Sequence, residues 1–236
     1  MSINGRSLPA WKYAGKNRID YPQNAADWDR WYANPAYEWT PASAAVRAEL
    51  DRVRPGRALD LGAGDGRHAV WLAGRGWQVD AADFSPEALW IGEERSAAEG
   101  LRTRIRWSLC DVTTRPFLPR SVDLVLAAFL HIPGAGTRQA FANAAPALVD
   151  GGIFLYLGLS PAPDGNPLSK PELPFDLPDI AEVTSWLEQA GLHVERAETR
   201  ARPVPGTRRP ALDCVVLARA GTDGRADFPL PTDHET

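Results

Sequence analysis

Between Arg57 and Asp83 the hydrophobic positions change their period twice. Ala58, Leu59 and Leu61 form an almost unbroken apolar run, the pattern of a strand buried on both faces. Ala69, Val70, Leu72 and Ala73 then share one face of a helix that opens at Arg67 and is stopped by Gly74 and Gly76. A second strand runs from Trp77 to Ala82 and leaves Asp83 at its carboxyl end. Between strand and helix, Gly62, Gly64 and Gly66 alternate with Ala63 and Asp65, so the backbone turns sharply and its amides become approachable by a ligand.

The same reading places the other elements. Residues 1–25 show no period and are expected to be extended. From Ala26 to Trp39 aromatic residues crowd together, and Asp27 is positioned to cap a short helix with Trp28, Trp31 and Tyr32 on one face. Residues 42–53 read as a helix with Val46, Leu50 and Val53 inward. Ser85 caps, and Pro86 opens, a helix that Gly100 closes. Strands follow at 105–109 and 122–129, a helix at 138–148, a strand at 153–157, a helix at 178–190, and two strands at 192–200 and 211–219. Strands alternating with helices predict an α/β fold around a mainly parallel sheet. Residues 158–178 carry six prolines and are too long for a plain connector, so a substrate-facing lid is expected there. The polar tail 221–236 is expected to be disordered.

Composition narrows the function. The chain has 236 residues, enough for one α/β domain with appendages, and its 44% apolar and 24% charged residues are those of a soluble globular protein. A formal net charge of -4 gives no basic stripe for a nucleic acid. The arginines at 102, 104 and 106, and at 200, 202, 208 and 209, read as strand and loop residues or as contacts for an acidic substrate. The amino end lacks the apolar core of a signal peptide, and no stretch reaches membrane-spanning length, so neither a membrane nor secretion is expected. Two cysteines in apolar runs, Cys110 and Cys214, suit free thiols in a reducing cytoplasm. No metal site is expected, and nothing in the sequence indicates an oligomeric state.

The glycine loop fits two ligand classes. A dinucleotide site spaces its third glycine three residues after the second, whereas here the gap is two and Arg67 stands in the glycine slot. Asp60, at the end of the first strand, would repel a pyrophosphate but would accept a charge-assisted hydrogen bond from an amino group. Asp83 fits an acid that accepts from both ribose hydroxyls. An amine and a ribose without phosphate describe S-adenosylmethionine.

ALDLGAGDG followed by DFSPEAL resembles the first two motifs of the class I S-adenosylmethionine-dependent methyltransferases, and the resemblance covers residues 45 to 219. It implies a doubly wound, mostly parallel seven-stranded sheet ending in an antiparallel hairpin, formed by residues 42–220 behind an amino-terminal arm or lid at 1–41. It implies cofactor contacts at Asp60, Gly62, Ala63, Gly64, Asp83 and Phe84. Asp111 matches the acid that accepts from the adenine amino group, with Val112 beside it. AFLHIP resembles a fourth motif carrying LHLP and places Ala128, Phe129 and His131 at the carboxyl edge of the sheet. His131 there is read either as the catalytic base or as a turn-fixing histidine that bonds a backbone carbonyl. The aromatic stretch is similar to the arm of tellurite- and thiopurine-type methyltransferases, which makes Tyr32 and Trp39 contacts for the methionine end of the cofactor. The implied reaction is methyl transfer to a small-molecule acceptor. A non-methylating use of the same cofactor and a catalytically silent binding module are the alternatives.

Overall fold

The computed structural model describes residues 22, 24–161, 177–203 and 210–221. Expectations for most of the amino-terminal segment, the body of the proline-rich stretch and its lid, the connection before the last strand, and the tail lie outside the described residues.

Seven strands form one sheet: β1 (Arg57–Leu61), β2 (Gln78–Asp83), β3 (Ile105–Leu109), β4 (Val122–Ala128), β5 (Leu148–Leu159), β6 (Leu192–Arg202) and β7 (Ala211–Ala220), in the order β3-β2-β1-β4-β5-β7-β6. β1 pairs in parallel with β2 and β4, and β4 with β5, while β7 runs antiparallel to both β5 and β6. The chain leaves β1 toward β2 and β3, then crosses back to β4 on the other side. The carboxyl ends of β1 and β4 therefore flank the point where strand order reverses, the place where open α/β sheets bind ligands. The expected sheet with its closing hairpin is the observed one.

The long apolar runs arise because both faces are covered. Along β4 and β5, Val125, Ala127, Phe154 and Tyr156 face one layer with Phe141, Val183 and Leu187. The intervening Leu124, Leu126, Ile153, Leu155 and Leu157 face the other layer with Leu50 and Leu72. The first layer holds α5 (Gly136–Ala144) and α6 (Ile180–Gln189), and the second α2 (Ala44–Leu50) and α3 (Arg67–Gly74). α4 (Pro86–Ala98) buries Ala88, Leu89 and Gly92, and Ser85 caps it as expected by accepting from Ala88 N.

Several boundaries differ from the sequence reading. α1 (Ala25–Tyr32) is capped by Asn24, whose Oδ1 accepts from Asp27 N at 3.1 Å, so Asp27 lies in the first turn, where its charge favours the helix dipole. β5 reaches Leu159 because β7 pairs with it as far as Leu159↔Asp213, which moves the start of the proline-rich connection past Gly158. α2 is shorter than the expected 42–53, and its Glu49, only 3% exposed, meets the guanidinium groups of Arg196 and Arg200 on β6. Two guanidiniums around one buried carboxylate leave little of that charge unpaired, and they tie the helix that precedes β1 to the far edge of the sheet.

Candidate functional site

The loop after β1 is held from below. Gly62 N and Ala63 N both donate to Ala82 O, at 2.9 and 3.0 Å, which fixes the loop against the end of β2. Gly64 and Gly66 adopt φ of 57° and 74°, a region that side chains disfavour. A Cβ on Gly66 would lie 2.2 Å from Trp107 Cη2, so the indole packed beneath the loop requires glycine there as well.

Three carboxylates stand around this loop. Asp60 is 1% exposed, and its Oδ2 is buried without a hydrogen-bond partner. Burial raises its carboxyl from 3.8 to about 7, against the opposing pull of Arg67 and an amide bond from Ala69. Asp83, also buried, accepts from Gly64 N at 2.8 Å and Ser85 N at 2.9 Å, with a further amide from Phe84. Burial still lifts its carboxyl above the ordinary range. Asp65 Oδ2 accepts from the Tyr37 hydroxyl. Desolvation, together with the charge of Asp65, pushes both Tyr37 and Tyr32 well above the usual phenol range, so both stay protonated donors.

The arm lies across the loop through contacts from several of its residues. Asp29 Oδ1 accepts from Ser85 Oγ at 2.5 Å and Glu87 N at 3.2 Å, covering one amide in the first turn of α4. A Cβ on Gly64 would lie 2.5 Å from the Tyr32 hydroxyl, so Tyr32 rests directly on the loop. Trp28 stacks on Tyr32 with ring centroids 5.9 Å apart. The Arg95 guanidinium lies 3.5 Å from the Trp39 ring centroid, so a ring face expected to meet a sulfonium is covered by a guanidinium.

The carboxyl end of β4 forms the other wall. Ala128 is buried, and Phe129 takes φ of 59°, a strained conformation for a bulky side chain and one that clusters at functional sites. Arg67 and Arg202 place their guanidiniums 5.1 and 5.7 Å from the Phe129 ring centroid. His131 Nε2 accepts from Leu159 N at 3.2 Å, and burial lowers its pKa to about 4. That lone pair is occupied by a backbone N–H of β5, whereas the turn-fixing reading assigned it a carbonyl.

Asp111 is exposed, and its Oδ1 accepts from both Thr113 N and Thr113 Oγ1, at 2.8 and 2.7 Å. Val112 is buried, and its carbonyl accepts from Asn143 Nδ2 at 3.0 Å. The arginines expected as solvated or substrate-facing are in part tied up, with Arg106 paired to Asp80, Arg200 to Glu49, and Arg202 to Asp213.

The structure thus brings Asp60, Gly62, Ala63, Gly64, Asp83, Phe84 and Tyr32 to one loop, and Ala128 and His131 to the adjoining strand end. Sequence reasoning missed Asp29, Tyr37 and Arg67. Asp29 and Tyr32 share a helix face at i, i+3 spacing, the one signal in the sequence that this acid accompanies the aromatic residues onto the loop.

A buried acid with one unpartnered oxygen, a glycine loop and a second acid on the next strand lie together at the carboxyl edge of this α/β sheet. Residues 58–152 match the family described as a methyltransferase domain, and the seven-stranded sheet has the class I methyltransferase fold. The ribosomal RNA small subunit methyltransferase C of Alcanivorax borkumensis is 30% identical over 163 residues, 63% of this chain and 40% of that protein. The chain spans less than half the length of the curated relatives it matches. TehB from Haemophilus influenzae superposes with a TM-score of 0.63 at 17% identity, covering 82% of this chain and 67% of that one. A structure from work on converting a disulfide bond into a thioacetal group in echinomycin biosynthesis gives 0.65 at 21% identity, covering 83% and 92%.

Proposed function

We propose that this protein transfers the methyl group of S-adenosylmethionine to a small acceptor through an oxygen, nitrogen or sulfur nucleophile. The observation that carries this reading is the buried, partnerless Asp60 Oδ2 beside the glycine loop. A desolvated carboxylate is costly unless a cation or donor completes it, and the donor's ammonium does so where a pyrophosphate would be repelled. Asp83, at the end of the neighbouring strand, takes the ribose hydroxyls. Asp111 and Val112 border the adenine, and Tyr32 closes the arm over the methionine end, while Trp39, under the Arg95 guanidinium, packs the arm instead.

S-adenosylmethionine, when bound, supplies a methyl group already activated on a sulfonium. The chain's own task is to hold the acceptor in line and exclude water. The Asp29 and Tyr37 contacts press the arm onto the loop for that purpose. With its Nε2 lone pair on Leu159 N, His131 serves to position the end of β5, and the site favours acceptors that arrive with a free electron pair, such as a thiolate or a neutral amine. An NMR titration of His131 is expected to show a midpoint near pH 4. A midpoint at or above the ordinary value near 6.5 would restore it as a base.

The net charge of -4 and the paired arginines support a small acceptor over a nucleic acid. The RNA activity in the Alcanivorax name belongs to a protein of which this chain spans 40%. The free thiols of Cys110 and Cys214 fit a reducing cytoplasm, and among the described residues no helix is long and apolar enough to cross a membrane.

S-adenosylhomocysteine is expected to raise the melting midpoint. Incubation with S-adenosylmethionine and a low-molecular-mass metabolite fraction is expected to generate S-adenosylhomocysteine. Stabilisation by NAD and not by S-adenosylhomocysteine would overturn the donor assignment, and turnover seen only with added RNA would overturn the acceptor assignment.

A further inference from the structure

α4 turns Ala88, Leu89, Gly92 and Ser96 inward. Its opposite face carries Glu87, Trp90, Glu93 and Glu94, which share one side of the helix at i, i+3 and i+4 spacing. Trp90 is 58% exposed, and none of the ion pairs among the described residues includes Glu87, Glu93 or Glu94. Two basic neighbours are engaged elsewhere: Arg30, which lines the cleft beside Glu87, pairs with Asp27, and Arg95 on α4 itself lies against Trp39. An exposed indole amid three carboxylates has the make-up of an interface anchor with a charged rim.

The complementary surface lies on the same layer of helices. A groove of about 440 Å³ is lined by Ala44, Arg47, Ala48 and Arg52 on one side and by Trp71 and Arg75 of α3 on the other. Its one acid, Asp51, holds Arg75, whose guanidinium lies 5.9 Å from the Trp71 ring centroid. Arg47 and Arg52 are exposed, and exposed Arg54 continues the basic strip past the groove. Glu49, the other acid of α2, is turned away and buried between Arg196 and Arg200.

The order of the helices decides how these surfaces can meet. α2 reaches toward β6 through Glu49, whereas α4 lies over β3, with Gly92 against Trp107. α3 stands between them. A two-fold axis along the outer surface of α3, parallel to the helices, carries α4 of one copy onto the groove of the other, and the reverse contact follows by symmetry. Such a pair closes at two copies. An indole entering the groove meets Ala44, Ala48, Trp71 and the guanidiniums of Arg47 and Arg52, while the carboxylates around it face the arginine strip. Three helices spaced about 10 Å apart and a helix about 20 Å long give a footprint of roughly 600 Å² per copy, toward the lower end of stable interfaces.

We propose that this protein forms a two-fold dimer through the α2–α4 layer, with Trp90 and the acidic face of α4 seated in the arginine-lined groove of a second copy. The axis keeps both carboxyl sheet edges pointing the same way. The pairing does not depend on which donor the glycine loop binds.

Sedimentation velocity on the full chain tests it. The wild type is expected to pass from monomer to dimer as its concentration rises to about 200 µM in about 50 mM salt, with a dissociation constant at least about 10-fold higher in about 500 mM salt. Trp90→Ala is expected to raise that constant by about 10- to 100-fold. Two double variants, Arg47→Glu with Arg52→Glu and Glu93→Arg with Glu94→Arg, are each expected to stay monomeric, and melting curves check that both fold. Mixed in equal amounts they are expected to form a heterodimer, because the reversed groove meets the reversed helix at one contact and the native pair meets at the other. A wild type that stays monomeric, double variants that still dimerise, or a mixture that fails to associate overturns the proposal. Growth past two copies also overturns it, since that marks a head-to-tail contact. If the wild type stays monomeric while labelled oligouridine or polyglutamate binds it and not the arginine double variant, the groove serves another polyanion and the dimer is equally overturned.

Discussion

Asp60→Asn is expected to stabilise the ligand-free protein at pH 8 and, in the same molecule, to remove most of its affinity for S-adenosylhomocysteine. The two effects share one cause. The Asp60 carboxyl is raised from 3.8 to about 7 because folding strips it of water and leaves Oδ2 unpartnered. Its folded-state value lies above its unfolded one, so its contribution to stability is complete below pH 4 and is lost as the pH rises through 7. A shift of that size corresponds to about 4 kcal/mol above pH 7. Asparagine has the same shape and no charge to desolvate, so the variant gains up to about that amount at pH 8. The advantage shrinks as the pH falls toward 4, where the wild type folds with the acid already protonated. Ammonium recognition needs the ionised form, so wild-type affinity for S-adenosylhomocysteine is expected to fall as the pH drops below 7, and the variant lacks that dependence. Urea unfolding at pH 8 and pH 5, with calorimetry across the same range, reads both effects. A variant no more stable than the wild type at pH 8, or one that binds the ligand unchanged, would remove the central argument for the site.

This coupling explains which parts of the molecule were legible beforehand. The stretch from β1 to β2 is constrained twice, by burial on both sheet faces and by a tight loop that needs glycine at Gly64 and Gly66, so its residue types announce its geometry. Asp60 and Asp83 were visible because a charge at the end of an apolar strand has no packing reason to be there. The arm contacts were not visible. Asp29 meets Ser85 and Tyr37 meets Asp65 across long stretches of chain, and no local period encodes which acid will face which donor. His131 shows the same limit. Its position at a strand end is readable, but its engagement with Leu159 N depends on β5 extending to that residue, and that extension depends on antiparallel pairing with β7. The cap of α1 was misassigned from Asn24 to Asp27 because both residue types cap helices and only the backbone decides between them. The order of the strands came from family resemblance, since periodicity gives the elements and not their neighbours.

Asp83→Ala is expected to lower affinity for S-adenosylhomocysteine by at least 100-fold. In the ligand-bound protein this carboxylate has two tasks. Toward the protein it accepts amides from Gly64 and Ser85 at 2.8 and 2.9 Å, pinning the glycine loop to the start of α4. Toward the ligand, on the proposed reading, it takes the ribose hydroxyls, and each charge-assisted hydrogen bond of this kind contributes about 1.5–3 kcal/mol. Losing two of them corresponds to about 3–6 kcal/mol, or roughly 10²- to 10⁴-fold. The protein-side loss strands buried donors and is expected to lower stability by about 1–3 kcal/mol, the reverse of the Asp60→Asn result. Binding of 5′-methylthioadenosine separates ligand recognition from loop collapse when the two acids are compared. The analogue keeps the ribose and lacks the amino-acid head, so Asp83→Ala should weaken it as much as S-adenosylhomocysteine, whereas Asp60→Asn should leave it nearly untouched. If Asp60→Asn instead weakens both ligands alike, its effect spreads through the loop and the division of labour between the two carboxylates is wrong. If Asp83→Ala spares methylthioadenosine, the ribose is held elsewhere, and the acid at the end of β2 is a structural clasp alone.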